Sequence, residues 1–251
     1  MVDQQVTYEV VAGVARITLN RPAAANAIDM ALAVALRQAA ERAHDDAKAG
    51  AVLLTGAGAR FCAGGDVPSF ASADDPGGHL HALALEADAA VRTLEALEKP
   101  VVAAVQGAVA GAGLAVMLSA DLVVAQAGTK FVFAYPGVGL TPDCGVSWLL
   151  PRAIGQQRAL AFGLRNAPVS AETALEWGLV TEVVDDAATT ALERAEGFAA
   201  GPAYALGQAR RLLRAGWTTP REELGAIEAR TIADALVGDE AQPLVARFVS
   251  R

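Results

Sequence analysis

Residues 101–120 read VVAAVQGAVAGAGLAVMLSA, twenty positions without a charged side chain. A run of that length meets the requirement for crossing a bilayer as one helix. Gly107 and Gly111 even stand at the spacing of a helix-dimerisation face. The competing reading is a buried strand over 101–105, a glycine-rich turn over 106–113 and a buried helix after it. Periodicity does not separate the two, because a fully buried strand and a fully buried helix are both apolar throughout. Punctuation favours the second: Pro100 precedes the run, and Gln106, Gly107, Gly111 and Gly113 interrupt it. The expectation is therefore strand, turn and helix, with no membrane span.

The rest of the chain must then cover that run. At 251 residues it has the length of one large domain, or of one domain with a small appendage. It is 53% apolar and 19% charged, the opposite of a disordered composition. Only 5% is aromatic, so the core must be built from small and aliphatic side chains that let backbones approach closely. Acidic residues outnumber basic ones 28 to 20, a formal net charge of −8. That excludes a basic whole-domain footprint for nucleic acid, though not a local patch for an anion. Cys62 and Cys144 make neither a disulfide framework nor a zinc spacing, which fits a reducing, cytoplasmic compartment. The N-terminal MVDQQVTYEV lacks the basic start and apolar stretch of a secretory signal.

Along the chain, residues 6–19 read as a hairpin turning near Ala12-Gly13. Asp29 is placed to cap a helix running to about 45, with Leu32, Leu36, Ala39 and Ala40 on one face. Residues 51–55 are a continuous apolar run, as in a buried parallel strand. Residues 68–78 read as a mobile loop, and 80–98 as a helix. Strands are expected over 122–125 and 130–134, then helical material over 147–155, 158–164 and 170–177. From about 189 onward the pattern is helical and charged. Alternation followed by helices alone predicts an α/β core over 1–190 and a helical C-terminal region over 191–251.

Several groups carry potential chemistry. Phe61-Cys62-Ala63-Gly64-Gly65-Asp66 follows one predicted strand, and Gly111-Ala112-Gly113 opens a helix after another. Backbone N–H groups at such places bind anions and developing oxyanions, but ordinary tight turns use glycine in the same way. Asp143 precedes a helix, where an aspartate commonly serves as N-cap. Asp66 is suited to holding its own loop. Asp121 ends an apolar helix, a position unfavourable to a carboxylate, so it should have a partner. His79 and His81 do not share a helix face, which argues against a metal site. Both cysteines read as packing residues. Arg210, Arg211 and Arg214 read as a solvated helix face.

Taken in order, these segments resemble the enoyl-CoA hydratase/isomerase, or crotonase, superfamily. The resembling pieces are Asn20-Arg21-Pro22 with Asn26-Ala27-Ile28, Leu54-Thr55-Gly56 with Phe61 through Asp66, Lys99-Pro100-Val101 through Gly113, and Ser170-Ala171-Glu172 with Gly178-Leu179-Val180. The resemblance implies a spiral of ββα units, with a helical C-terminal region that packs into homotrimers or hexamers. It implies an acyl-CoA thioester substrate, with coenzyme A as part of the substrate and no separate cofactor or metal. It assigns the oxyanion-binding N–H groups to Gly65 and Ala112. Ala23, Ala25, Ala63, Gly64, Asp66, Val67, Gly111, Tyr135 and Leu140 would line the CoA and acyl pocket.

The chain also departs from the family pattern. Hydratases of this superfamily carry two glutamates, which would fall here at Ala115 and Tyr135. Adding water needs one group to activate it and another to deliver a proton, so hydration by that pair is not expected. The stretch Val138-Gly139-Leu140-Thr141-Pro142-Asp143-Cys144-Gly145 resembles the ring-epoxyphenylacetyl-CoA isomerase branch, in which the aspartate is the acid/base. The same position carries the nucleophilic aspartate of 4-chlorobenzoyl-CoA dehalogenases. The implied function is acyl-CoA isomerisation through an enolate with Asp143 as acid/base. Dehalogenation or hydrolysis with Asp143 as nucleophile, and non-catalytic acyl-CoA binding, are the alternatives.

Overall fold

A computed structural model of the chain describes residues 5–250. It opens with an antiparallel hairpin, β1 (Val6–Val11) and β2 (Val14–Leu19). Helix α1 (Met30–Asp45) follows, capped by the Asp29 carboxylate accepting the Leu32 N–H. Next come β3 (Ala51–Gly56), the short α2 (Val67–Ala71) and the long α3 (Pro76–Ala96). The uncharged run then resolves into β4 (Val101–Val105), β5 (Ala108–Ala110) and α4 (Ala112–Leu118). Strands β6 (Leu122–Gln126) and β7 (Lys130–Val132) lead to α5 (Val146–Ile154) and α6 (Gln156–Arg165). After β8 (Val169–Ser170), α7 (Ala171–Trp177) and β9 (Glu182–Val184), the chain continues as α8 (Ala187–Ala199), α9 (Ala203–Ala215), α10 (Arg221–Val237) and α11 (Ala241–Val249).

Among the described residues the main sheet has the order β1-β2-β3-β4-β6-β9, parallel from β2 onward. A smaller sheet, β5-β7-β8, stands beside it. Side chains alternate along β4. Val101, Ala103 and Val105 enter the larger core with α1, α3 and α4, while Val102 and Ala104 enter a second one. A strand covered on both faces must be apolar at every position, which explains the uncharged run without a membrane. No helix among the described residues is long and apolar enough to cross one. The second core is closed by α8, whose Ala187, Ala191 and Ala195 recur every four residues as a stripe of small side chains. Helix α8 thus spans residue 190 while packing on the sheet.

Two expectations are corrected and one open alternative is decided. Residues 68–78 are not one loop: Asp66 caps α2 by accepting the Ser69 N–H, and Asp75 caps α3 by accepting from Gly78. The Asp, Ser, Pro and Gly that suggested a loop are helix-start chemistry used twice. Asp143 does not cap α5, whose N-cap is Gly145 with no side-chain bond. The arginines of α9 are not a solvated face.

Arg210 is 7% exposed. Its Nε donates to Asp121 Oδ2 at 2.6 Å, and its other nitrogens donate to the carbonyls of Leu94, Glu95, Leu97 and Ser119. Arg214 reaches Asp121 Oδ1 at 3.1 Å and the Ser119 carbonyl at 2.7 Å. Asp121 also accepts the Val101 N–H at 2.8 Å, so the start of β4, the ends of α3 and α4, and α9 meet at one carboxylate. This is the partner that Asp121 required. Planar guanidinium groups suit the site because several carbonyls must be satisfied at fixed angles. Arg210→Leu leaves those carbonyls and the half-buried Asp121 with fewer donors. It is expected to cost about 3–5 kcal/mol, read as a shifted denaturant midpoint.

Candidate active site

Two glycine segments face one another. Ala110 donates its N–H to the Cys62 carbonyl at 3.0 Å, and Cys62 donates to Ala108 at 3.4 Å, forming a parallel bridge between Cys62 and Val109. The approach is too close for side chains. A Cβ on Gly113 would lie 2.7 Å from the Cys62 carbonyl oxygen, and one on Gly64, already at φ +99°, would lie 3.0 Å from that of Ala110. Glycine here permits two backbones to touch, which is more than a tight turn requires. Among the described residues, neither the Gly65 N–H nor the Ala112 N–H donates to a protein acceptor. Ala112 is the first residue of α4 and has no positive φ, so its Cβ brings no strain.

The first segment is held from behind. Asn26, fully buried at φ +54°, donates Nδ2 to the carbonyls of Ala57, Arg60 and Phe61 and accepts the Arg21 N–H. Arg21 pairs with Asp66 at 2.9 Å and Asp29 at 3.1 Å, and donates to the Ala27 carbonyl. Ile28 donates to Gly64 and accepts from Asp66, adding a bridge at Gly65.

In front of the two segments is a cavity of about 460 Å³. Ala63, Gly64, Gly65, Val67, Gly111 and Ala112 lie on its wall, as do Tyr135, Leu140 and Asp143. Ala23, Ala25 and Asp66 do not. The Asp66 carboxylate turns to Arg21, and the Ala25 carbonyl accepts the Ala63 N–H at 3.1 Å. Ala115 is fully buried off the wall. The remaining wall includes a face of α3, where Gly77, Leu80, His81, Ala84 and Ala87 recur at helical spacing. The sequence reading began this helix at 80 rather than 76, and so left Gly77 in the preceding loop. His81 is on the wall and His79 is not. Among the described residues, no cluster of three or more His, Cys, Asp or Glu side chains forms a metal site.

Asp143 is the one carboxylate among the described residues on the wall. The Tyr135 hydroxyl donates to its Oδ1 at 2.7 Å. Among the described residues no basic side chain forms an ion pair with it. Burial, then the charge and hydrogen bond of Asp143, hold the Tyr135 hydroxyl far above its ordinary range, so it remains a donor. Asp88 of α3 approaches the same turn, its Oδ1 3.7 Å from where a Cβ on Gly145 would sit, and it is paired with Arg92. The geometry offers two unspent N–H donors and one carboxylate around an apolar cavity. That arrangement suits stabilising charge on an oxygen while moving a proton nearby.

The enoyl-CoA hydratase/isomerase family profile matches residues 9–250. A 1,2-epoxyphenylacetyl-CoA isomerase of Escherichia coli K12 is 40% identical over 201 residues, covering 78% of this chain and 76% of that one. A 4-chlorobenzoyl coenzyme A dehalogenase of an Arthrobacter species is 33% identical, covering 85% of this chain and 79% of that one. The solved structure of an enoyl-CoA hydratase from Mycobacterium smegmatis superposes with a TM-score of 0.91 at 28% identity, covering 98% of this chain and 96% of that one.

The two thiols near these segments are buried. Burial pushes Cys62 up to about 12, against a backbone N–H from Gly64 that favours the thiolate. Burial and then the Asp143 charge push Cys144 up as well. The thiolate is the reactive form, so at pH 8 neither cysteine should react with a thiol-specific disulfide reagent in the native protein. Both should react on denaturation. Fast labelling of either thiol in the folded enzyme would show that its environment is misdescribed.

Proposed function

This chain belongs to the enoyl-CoA hydratase/isomerase family, and from that premise we propose that it is an acyl-CoA isomerase. It shifts a double bond, or rearranges a ring, in an enoyl-CoA thioester. Members of the family act on acyl-CoA thioesters. The names carried by relatives include isomerase, hydratase and dehalogenase, so names alone do not choose the reaction. The observation that carries the choice is that Asp143 is, among the described residues, the single carboxylate on the wall of a cavity that also holds two unspent N–H groups.

In the proposed reaction the thioester carbonyl oxygen sits between the N–H groups of Gly65 and Ala112. Asp143 takes a proton from C2, and the C–H electron pair moves into the thioester to give an enolate oxygen. The protonated Asp143 then returns the proton at C4. The double bond passes from C3–C4 to C2–C3, and the carboxylate is regenerated. One carboxylate suffices because one proton leaves and one returns. Hydration would need a second acid/base, and the positions where hydratases of the superfamily carry glutamates hold Ala115 and Tyr135. Removing one oxyanion donor typically costs about 3–4 kcal/mol in related chemistry, so the facing glycine segments matter as much as the carboxylate.

The test is a substrate panel of 3-enoyl-CoA, crotonyl-CoA and 4-chlorobenzoyl-CoA, with native enzyme and Asp143→Asn. Double-bond migration should appear with the first, and the substitution should reduce it by roughly 10²–10⁴-fold. Crotonyl-CoA hydration that survives Asp143→Asn would overturn the mechanism. Chloride release would favour Asp143 as nucleophile, and thioester binding without turnover would favour a binding protein.

Coenzyme A enters as part of the substrate, with no metal or separate cofactor, and the compartment is cytoplasmic. The C-terminal helices support assembly. Ile232, Leu236, Val237, Phe248 and Val249 are all more than half exposed, an apolar surface that a trimer or hexamer would cover. Sedimentation should give a mass three or six times 25.7 kDa. A monomer at micromolar concentration would refute this.

A further inference from the structure

Tyr135 is held in place from an unexpected direction. The residue before it, Ala134, has φ +70° and ψ −37°, and Tyr135 donates its N–H back to the Phe133 carbonyl at 3.0 Å. This is the rarer, positive-φ form of the γ-turn, a strained conformation for a residue with a Cβ. Such a turn persists only where its surroundings over-determine it. The Ala134 N–H donates to Asn166 Oδ1 at 2.7 Å, across 32 positions of sequence. The Ala134 carbonyl accepts from Gly137 at 3.0 Å. A Cβ on Gly137 would stand 2.9 Å from Asn166 Nδ2, so the asparagine side chain occupies the space beside that glycine.

Asn166 is itself the left-handed residue that ends α6, at φ +49°, with its N–H bonded to Phe162. Ending a helix in that conformation favours glycine or asparagine, but it does not need the asparagine side chain. Here the side chain does something else. Helix α6 also supplies Phe162, which meets the Phe133 ring edge-on at 6.3 Å, and Phe133 meets the Tyr135 ring at 5.2 Å. One helix therefore fixes both the strained turn and the ring, and the Tyr135 hydroxyl ends on Asp143 at 2.7 Å.

We infer that Asn166 is a positioning residue for the reaction: through the Ala134 turn it aims the Tyr135 hydroxyl, which in turn orients the Asp143 carboxylate toward the cavity. This rests on the reading of Asp143 as the acid/base. Asn166 has no place on the cavity wall, and its effect is entirely indirect.

The experiment uses Asn166→Gly, which keeps the left-handed helix end while deleting the acceptor, and Asn166→Asp, which restores an oxygen. In Asn166→Gly the kcat for 3-enoyl-CoA isomerisation should fall about 10–100-fold while KM changes less than about threefold, because misplacing a reacting group affects the chemical step rather than binding. Asn166→Asp should recover kcat to within about threefold of native. Tyr135→Phe should show a similar loss, and adding Asn166→Gly to it should cause little more, since both act along one path. Exchange of the Ala134 amide hydrogen should be faster in Asn166→Gly.

A folded Asn166→Gly with native kcat, losses that multiply in the double variant, or unchanged Ala134 exchange would each overturn the inference. Full turnover by Asp143→Asn would instead refute the acid/base reading. The Ala134 exchange would then still report whether Asn166 holds the turn.

Discussion

Two stretches of backbone touch, and the rest of the molecule is arranged so that they can. The Ala63–Gly65 and Ala110–Gly113 stretches lie within backbone contact, linked through the Cys62–Val109 bridge. At Gly64 and Gly113 a single methyl group would push them apart. Gly65 and Ala112 lie on these stretches and line the cavity, and among the described residues neither N–H has a protein acceptor. Fixed backbone dipoles of this kind need no reorganisation when charge develops, which is where their value lies.

The low aromatic content serves the same end. Alanine forms the stripe of α8 that packs on the sheet and part of the α3 face of the cavity, and its small side chain permits close approach. The most enclosed charges gather around the ends of helices and strands. Arg210 and Arg214 gather carbonyls from the ends of α3 and α4 around Asp121, and Arg21 gathers Asp29 and Asp66 behind the first glycine segment. Each cluster lies where chain ends would otherwise leave polar groups unpaired, and a buried polar group without a partner is costly. The C-terminal helices are thus tied to the core through side chains that also secure the start of β4.

Much of this was legible in the residues. Caps such as Asp29, the turn at Ala12-Gly13 and the apolar strands are local signals, each decided within a few positions. Strand, turn and helix in the uncharged run were recoverable because proline and glycine act locally. The loop expected over 68–78 failed for a local reason as well, since cap residues and loop residues are the same types. Asp143 and Tyr135 both stood out as candidate residues in the sequence, but the geometry that joins them did not. The Tyr135 hydroxyl reaches Asp143 only because the strained Ala134 turn aims it, and that turn depends on Asn166, 32 positions away.

The sequence by itself determined most of the elements, their order and the two glycine segments, because helix caps, turns and apolar patterning act over a few residues. Only the tertiary structure decided which N–H groups remain unspent, which carboxylate faces the cavity and where the arginines of α9 go. Asp66 and Asp143 are both carboxylates beside glycine-rich segments, yet one is consumed by Arg21 and the other lines the cavity. Arg210 has the spacing of a solvated residue, yet it is buried against Asp121. In each case the outcome depends on distances between groups far apart in sequence. Those distances exist only once the sheets and helices have packed.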